Sequence, residues 1–388
     1  MFVFKSLVAF LTFTLVVAIP HGSHSDVFNH RVRAVKARTC KPDQAKNGTA
    51  VVPTVPATAT PSPASAQNLH AEPSSSSKHS SSSSNSVKTH SSSSSTSAHP
   101  TATKSSTSVV GGALAALAPL GYSQSTGWST SPSSPDPLPL SDATFKPRNL
   151  LQGLPWSYSH RPDGQPAIQV NYPKGSYNFQ HEPRGGISWY SSGPGNVDIS
   201  KAKELVLGYV VYLKEGFNPV KGGKLPGLYG GNDGAGAVSC SGGSRNDACF
   251  SVRLMWRGGA AGEAYTYLPP SFKANDRVCD IAPFSDCNPT YGASVGRGAF
   301  DFAIGAPTAV SMRVRLNDVG QQNGEFEIFA NGKSVISADG LVLRNSKAAT
   351  FGGLMTQSFF GGSSPDFAAV KDETMWLSDF TMQISEYL

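Results

Sequence analysis

Helical periodicity is nearly missing from this 388-residue chain, which argues against a helix bundle or a helix-rich α/β fold. Only a turn around Asp198 to Lys203 reads as helical. Beyond the first eighteen residues no apolar run approaches the length of a membrane span, so a helical membrane protein is not expected. The chain also lacks a long basic run. Its formal charge of +6 is spread along the sequence, which fits an acidic polymer or wall surface better than nucleic acid. Cysteine is scarce, with five residues in all. None falls in a C-x2-C spacing and no histidine lies near Cys240, Cys249, Cys279 or Cys287, so a zinc site is not expected.

The opening residues place the chain in an oxidising compartment. From Met1 to Ala18 one early charge, Lys5, is followed by an apolar run through Phe10, Leu11, Phe13, Leu15 and Val17 and then by small residues. That is the order of a secretory signal peptide. Residues 19–140 then read as a stalk and linker. Asn47 to Ser108 is dominated by Ser, Thr, Pro and Ala, with too little apolar surface to offset the entropy of ordering. Such a stretch suits O-glycosylation, and Asn47-Gly48-Thr49 is an N-glycosylation acceptor. The short separations in the remainder predict two local disulfides, Cys240–Cys249 and Cys279–Cys287, each worth roughly 2–3 kcal/mol. Cys40 is then free or paired with another chain.

Residues 141–388 read as one large all-β domain. Strand patterns recur at Ala167–Tyr172, Leu205–Leu213, Phe250–Trp256, Ala264–Leu268, Ala309–Leu316, Glu325–Ala330, Gly353–Phe360 and Thr374–Thr381. Turn residues separate them, and Asn331-Gly332 is the strongest hairpin signal. Many antiparallel strands with long Gly-rich connections indicate a two-sheet antiparallel β-sandwich of jelly-roll type.

One hairpin carries an unusual polar face. In "FSVRLMWR" Phe250, Val252, Leu254 and Trp256 point one way, and Ser251, Arg253, Met255 and Arg257 the other. In "GEAYTYLP" Glu263, Tyr265 and Tyr267 share a side. The intervening "GGAAG" makes the two strands neighbours, so Ser251, Arg253, Tyr265 and Tyr267 fall on one face. Pattern alone does not give this face a function, because antiparallel sheets commonly have one solvated side and Arg beside Tyr is an ordinary cross-strand pair. Ser311, Arg313 and Arg315 repeat the pattern and read as solvated.

These two segments, with "GGKLPGLYGG" (Gly222–Gly231) and "QSFFGG" (Gln357–Gly362), resemble the fungal and algal-virus members of polysaccharide lyase family 14. The four motifs occur in the family's order, and the resemblance spans about Pro166 to Leu388. It implies a concave sheet forming a cleft for an acidic polysaccharide, which is cleaved by β-elimination. The family's functional lysine, Ser-x-Arg pair and Tyr-x-Tyr pair match Lys224, Ser251 with Arg253, and Tyr265 with Tyr267.

That chemistry explains the residue types. Removing the C5 proton of a uronate places an enolate on an already anionic carboxylate, so Arg253 and Lys224, helped by Ser251, are expected to neutralise it. The tyrosines would act as base and acid, with no basis for choosing between them. Ionising an ordinary phenol at neutral pH costs roughly 4 kcal/mol, and the two cations are expected to lower that cost. Gln357 is a further candidate for binding sugar or carboxylate. His181 is a weaker candidate base in a loop, and Trp189, Tyr190 and Tyr229 suit packing better than stacking on sugars. No cofactor is expected, and a bound calcium cannot be inferred.

The expected partner is a polyuronate, with no nucleic acid and no membrane, and the chain is expected to be a secreted or wall-associated monomer. Two other functions fit parts of the pattern. A non-catalytic, lectin-like jelly roll at the cell surface would use the same arginine and tyrosines. A glycoside hydrolase needs paired carboxylates, and "GEFEIF" around Glu325 and Glu327 lacks the E-x-D-x-x-E arrangement of sandwich glucanases.

Overall fold

The computed structural model describes residues 112–388. The expected signal peptide, most of the stalk, Cys40 and the Asn47 acceptor lie outside the described residues. The described chain begins with helix α1 (Gly112–Leu117), strand β1 (Gly127–Ser129) and a single helical turn, α2 (Asp142–Phe145). Strands β2 (Trp156–His160), β3 (Pro166–Tyr172), β4 (Ile187–Ser191), β5 (Ala202–Leu213) and β6 (Gly222–Gly231) follow. Next come β7 (Cys249–Arg257), β8 (Ala261–Tyr267), β9 (Asp286–Cys287), β10 (Ala293–Asp301) and β11 (Pro307–Arg315). The last four are β12 (Gly324–Ala330), β13 (Lys333–Leu341), β14 (Thr350–Phe360) and β15 (Glu373–Tyr387). All eight segments read as strands from the sequence are strands.

Hydrogen bonding arranges them in two sheets. One has eight strands in the order β13-β12-β11-β5-β15-β3-β2, with β1 also on β15; the other has seven, in the order β4-β14-β6-β7-β8-β10-β9. The pairings within both are antiparallel. Alternation explains the sandwich, since each strand turns one apolar row inward. Leu205, Leu207, Tyr209 and Val211 of β5 meet Phe250, Val252, Leu254 and Trp256 of β7 in one core. This is the expected sandwich of jelly-roll type. Asn331 and Gly332, both at positive φ (49° and 78°), make the two-residue turn between β12 and β13. The turn expected near Asp198 is a 3-10 helix, Ile199–Lys201, capped by the Asp198 side chain.

The domain begins earlier than Ser141. Leu114, Leu117 and Trp128 are buried, and β1 pairs with the end of β15 through Trp128 and Met382. Helix α1 lies so close to β5 that a Cβ on Gly208 would sit 2.1 Å from the Leu117 carbonyl oxygen, so only glycine fits there. Residues 112–140 are therefore part of the packed domain and not linker. Burying each of these three side chains contributes about 1.5–3 kcal/mol at most. A protein starting at Ser141 is expected to melt roughly 10–20 °C below one starting at Gly112, and equal melting temperatures would show that this segment adds no stability.

On the outer face of the eight-stranded sheet Arg313 pairs with Glu204 (2.6 Å) and Glu325 (2.7 Å), with Glu327 at 3.9 Å. Arg315 pairs with Glu386. Arg313 and Arg315 are thus ion-paired as on an ordinary polar face, whereas Ser311, expected to be solvated, is fully buried and its hydroxyl donates to the Ala116 carbonyl of α1 (3.3 Å); Glu325 and Glu327 are engaged by Arg313.

Candidate active site

The outer face of the seven-stranded sheet is not solvated in the same way. Register places Ser251 opposite Tyr267, Arg253 opposite Tyr265 and Met255 opposite Glu263 across β7 and β8. On the other side Lys224 of β6 lies opposite Met255, with Phe359 of β14 beyond it. The close approach of β6 explains its composition, because a Cβ on Gly223 would fall 2.0 Å from the Trp256 ring. Loops rise over this face and enclose a cleft of about 570 Å³. Lys224, Arg253, Tyr265, Tyr267 and Gln357 all line it.

Both predicted disulfides are formed, and both brace the rim. Cys240–Cys249 closes the loop that carries Ser241 and Gly242 to the cleft, and Cys279–Cys287 closes the one leading to Asn288. The first loop also touches the proposed machinery. The Gly243 N–H donates to the Tyr267 hydroxyl (2.9 Å), and the Ser251 hydroxyl donates to the Cys240 carbonyl (2.8 Å). Ser251 is fully buried and does not line the cleft. Its expected part in neutralising a carboxylate is therefore corrected: its hydroxyl holds the loop over the site.

Arg253 is only 2% exposed. It donates to the Gln357 carbonyl from Nη2 (3.0 Å) and to the Leu225 carbonyl from Nε (3.4 Å), and no described carboxylate forms an ion pair with it. Burial draws its proton affinity down, opposed by the surrounding Tyr190, Tyr265, Tyr267 and Tyr209 hydroxyls. An arginine nonetheless stays charged. The Lys224 ammonium nitrogen lies 4.1 Å from the centre of the Tyr265 ring and also has no described ion-pair partner. Burial, then the repulsion of Arg253 and Arg257, lowers the Lys224 pKa well below the usual lysine value, with Glu263 opposing.

The Tyr265 hydroxyl accepts from the Gly292 N–H (3.2 Å), and its ring meets that of Tyr267 edge-on at 5.8 Å. Burial, then Tyr267, raises the Tyr265 pKa, and this outweighs the lowering by Arg253. The expectation that nearby cations make a phenolate accessible is thus reversed at Tyr265, which is held protonated by desolvation. With the lysine pushed down and Tyr265 beside it held protonated, the site contains an amine suited to accepting a proton and a phenol that still carries one.

Gln357 lines the cleft, and its side-chain nitrogen donates to Ser188 (3.3 Å) and Tyr190 (3.4 Å). His181 is exposed, stacks on Tyr177 with ring centres 4.7 Å apart, and does not line the cleft. Trp189 is in the core, and Tyr190 packs edge-on against the fully buried Tyr229. Sequence reasoning assigned no role to Arg257, Arg297 and Ser294, which line the same cleft. Alternation places Arg257 and Glu263 on this face, but Arg297 lies within the irregular stretch of β10, between Val295 and Phe300, where alternation fails. Among the described residues no group of three or more His, Cys, Asp or Glu side chains is placed to hold a metal.

Comparison with known proteins gives this geometry a context. A family model described as Polysaccharide lyase 14 matches residues 160–380. The crystal structure of the marine PL-14 alginate lyase from Aplysia kurodai is 36% identical, with a TM-score of 0.53, covering 59% of this chain and 87% of that one. The alginate lyase vAL-1 from Chlorella virus has the same fold at 18% identity, with a TM-score of 0.52 and coverage of 62% and 93%. No curated protein sequence matches the chain. The fungal part of the sequence resemblance gains no support from these matches. With the family model spanning more than half of the chain and the sandwich as expected, this protein belongs to polysaccharide lyase family 14 and is a polysaccharide lyase.

Proposed function

We propose that this polysaccharide lyase is an extracellular enzyme that cleaves a uronate polymer of the alginate kind by β-elimination. The observation that carries the proposal is the buried Arg253 guanidinium, beside the buried Lys224 amine, on one wall of a cleft with no ion-pair partner among the described residues. Burying an unpaired charge costs several kcal/mol, so a structural role would have paired Arg253. A substrate carboxylate supplies the missing counter-charge. Four cationic side chains and one carboxylate, Asp286, line the cleft, which suits a polyanion. The identity to an enzyme named as an alginate lyase favours that polymer. The two disulfides favour an oxidising compartment, and no described helix is long and apolar enough to cross a membrane.

In the reaction Arg253, fixed by two backbone carbonyls, takes the uronate carboxylate and stabilises the charge that develops there. Pairing also screens Arg253 from Lys224, which raises the proton affinity of the amine once substrate is bound. Lys224 then removes the C5 proton, the C4–C5 double bond forms, and the C4–O4 bond breaks. The departing O4 takes the Tyr265 phenol proton. The Tyr267 hydroxyl, which accepts from the Gly243 N–H, lines the cleft and hydrogen-bonds the sugar.

Incubating the protein with alginate, glucuronan and a neutral glucan tests the reading. Unsaturated ends absorbing in the ultraviolet are expected from a polyuronate and not from the glucan. Binding of the polyuronates with no absorbance would make this a lectin-like member of its family and overturn the proposal.

A further inference from the structure

Next to the central cations lies a second arrangement whose geometry is that of a ligand site. Glu263 is fully buried and receives two arginines. Arg257 reaches one carboxylate oxygen through Nε (2.8 Å) and Nη2 (2.7 Å), and Arg297 reaches the other through Nε (2.8 Å). Both Nη2 groups also donate to the Ser294 hydroxyl, at 2.5 and 3.0 Å. The Arg297 guanidinium is packed over the Phe284 ring at 4.9 Å. Each guanidinium is thus fixed along one edge, while neither Nη1 has a partner among the described residues. The Arg257 and Arg297 side chains are 16% and 32% exposed, and both face the cleft that holds Arg253.

Two arginines on one carboxylate leave one positive charge in excess. A purely structural pairing would need only one of them. Glu263 instead serves as a buried anchor that aligns two forks, and such forks match a planar carboxylate. Arg257 is four residues beyond Arg253 on the same face of β7, or about 13 Å along the strand between their backbones, and the two guanidiniums are held by different partners, Arg253 by the Leu225 and Gln357 carbonyls and Arg257 by Glu263.

We propose that Arg257 and Arg297, anchored by Glu263 and Ser294, form a second subsite that binds the carboxylate of a uronate other than the one being cleaved. The site therefore requires acidic sugars at more than one position of the chain. This inference rests on the uronate reading of the cleft.

The test is binding, which does not depend on turnover. In the Tyr265→Phe background the affinity for alginate oligomers of increasing length is measured by calorimetry, with Arg297 intact, as Arg297→Gln and as Arg297→Lys. Glu263 keeps Arg257 and Ser294 in each variant, and melting temperatures confirm folding. Arg297→Gln is expected to weaken long oligomers about tenfold and leave a single uronate unaffected, with Arg297→Lys in between. Equal affinity of all three proteins for long oligomers overturns the subsite. A uniform loss at every length, monosaccharide included, also overturns it, since Arg297 would then act at the central sugar. If the uronate reading itself is wrong, the wild-type protein releases no unsaturated ends from any polyuronate, a result independent of these affinity ratios.

Discussion

Arg253→Ala is expected to lower kcat/KM by about two to three orders of magnitude, the usual cost of removing a donor aimed at developing charge. Arg253→Lys should recover little, because one ammonium cannot bind the Leu225 and Gln357 carbonyls and a carboxylate fork together. The stability readout separates function from scaffolding. A buried guanidinium without a carboxylate partner strains the free protein, so Arg253→Met is expected to keep or raise the melting temperature while turnover is lost. A residue retained for the fold would show the reverse, a lower melting temperature with kcat preserved in the folded fraction.

Lys224→Arg is expected to be as inactive as Lys224→Met, with kcat reduced about a hundredfold or more. Arginine keeps the positive charge but cannot lose its proton, so it replaces a neutralising cation and fails as a base. Substantial activity in Lys224→Arg would return Lys224 to the carboxylate-neutralising role first inferred from the sequence. The pH profile gives the sign. Lys224 accepts a proton only when neutral, so kcat/KM should rise with pH through its depressed pKa, well below 10.5. The alkaline fall belongs to Tyr265 and lies above the ordinary tyrosine value, because burial raises that group. Between the depressed Lys224 value and 10.5 the unfolded chain binds more protons than the folded one. The contribution of Lys224 to stability therefore increases with pH across that window, and Lys224→Met removes it.

The hairpin of β7 and β8 could be read in the sequence because its alternation is clean and its apolar side is aromatic. Strand β6 was legible only as a motif. Its glycines and proline have low strand propensity, and the reason for them, the Trp256 ring against Gly223, is a contact between strands distant in sequence. Helix α1 was hidden because "GGALAAL" is short and follows a Ser-rich stretch, and its anchor, Gly208, lies far along the chain. Spacing correctly placed Ser251 on the cleft side but carried no sign of the Cys240 carbonyl above it. Roles were harder to read than positions. Burial sets the proton affinities of Lys224 and Tyr265, and burial here comes from loops whose course over the sheet no periodicity reports. Arg297 was missed because the bulged part of β10 breaks the alternation that identified the others.

The mass of the non-reducing ends released from alginate by the wild-type protein tests the central claim most directly. Elimination at the Arg253, Lys224 and Tyr265 site predicts new non-reducing ends that are unsaturated and lighter by one water than hydrolytic ends. Saturated non-reducing ends, or intact polymer after binding, would contradict it.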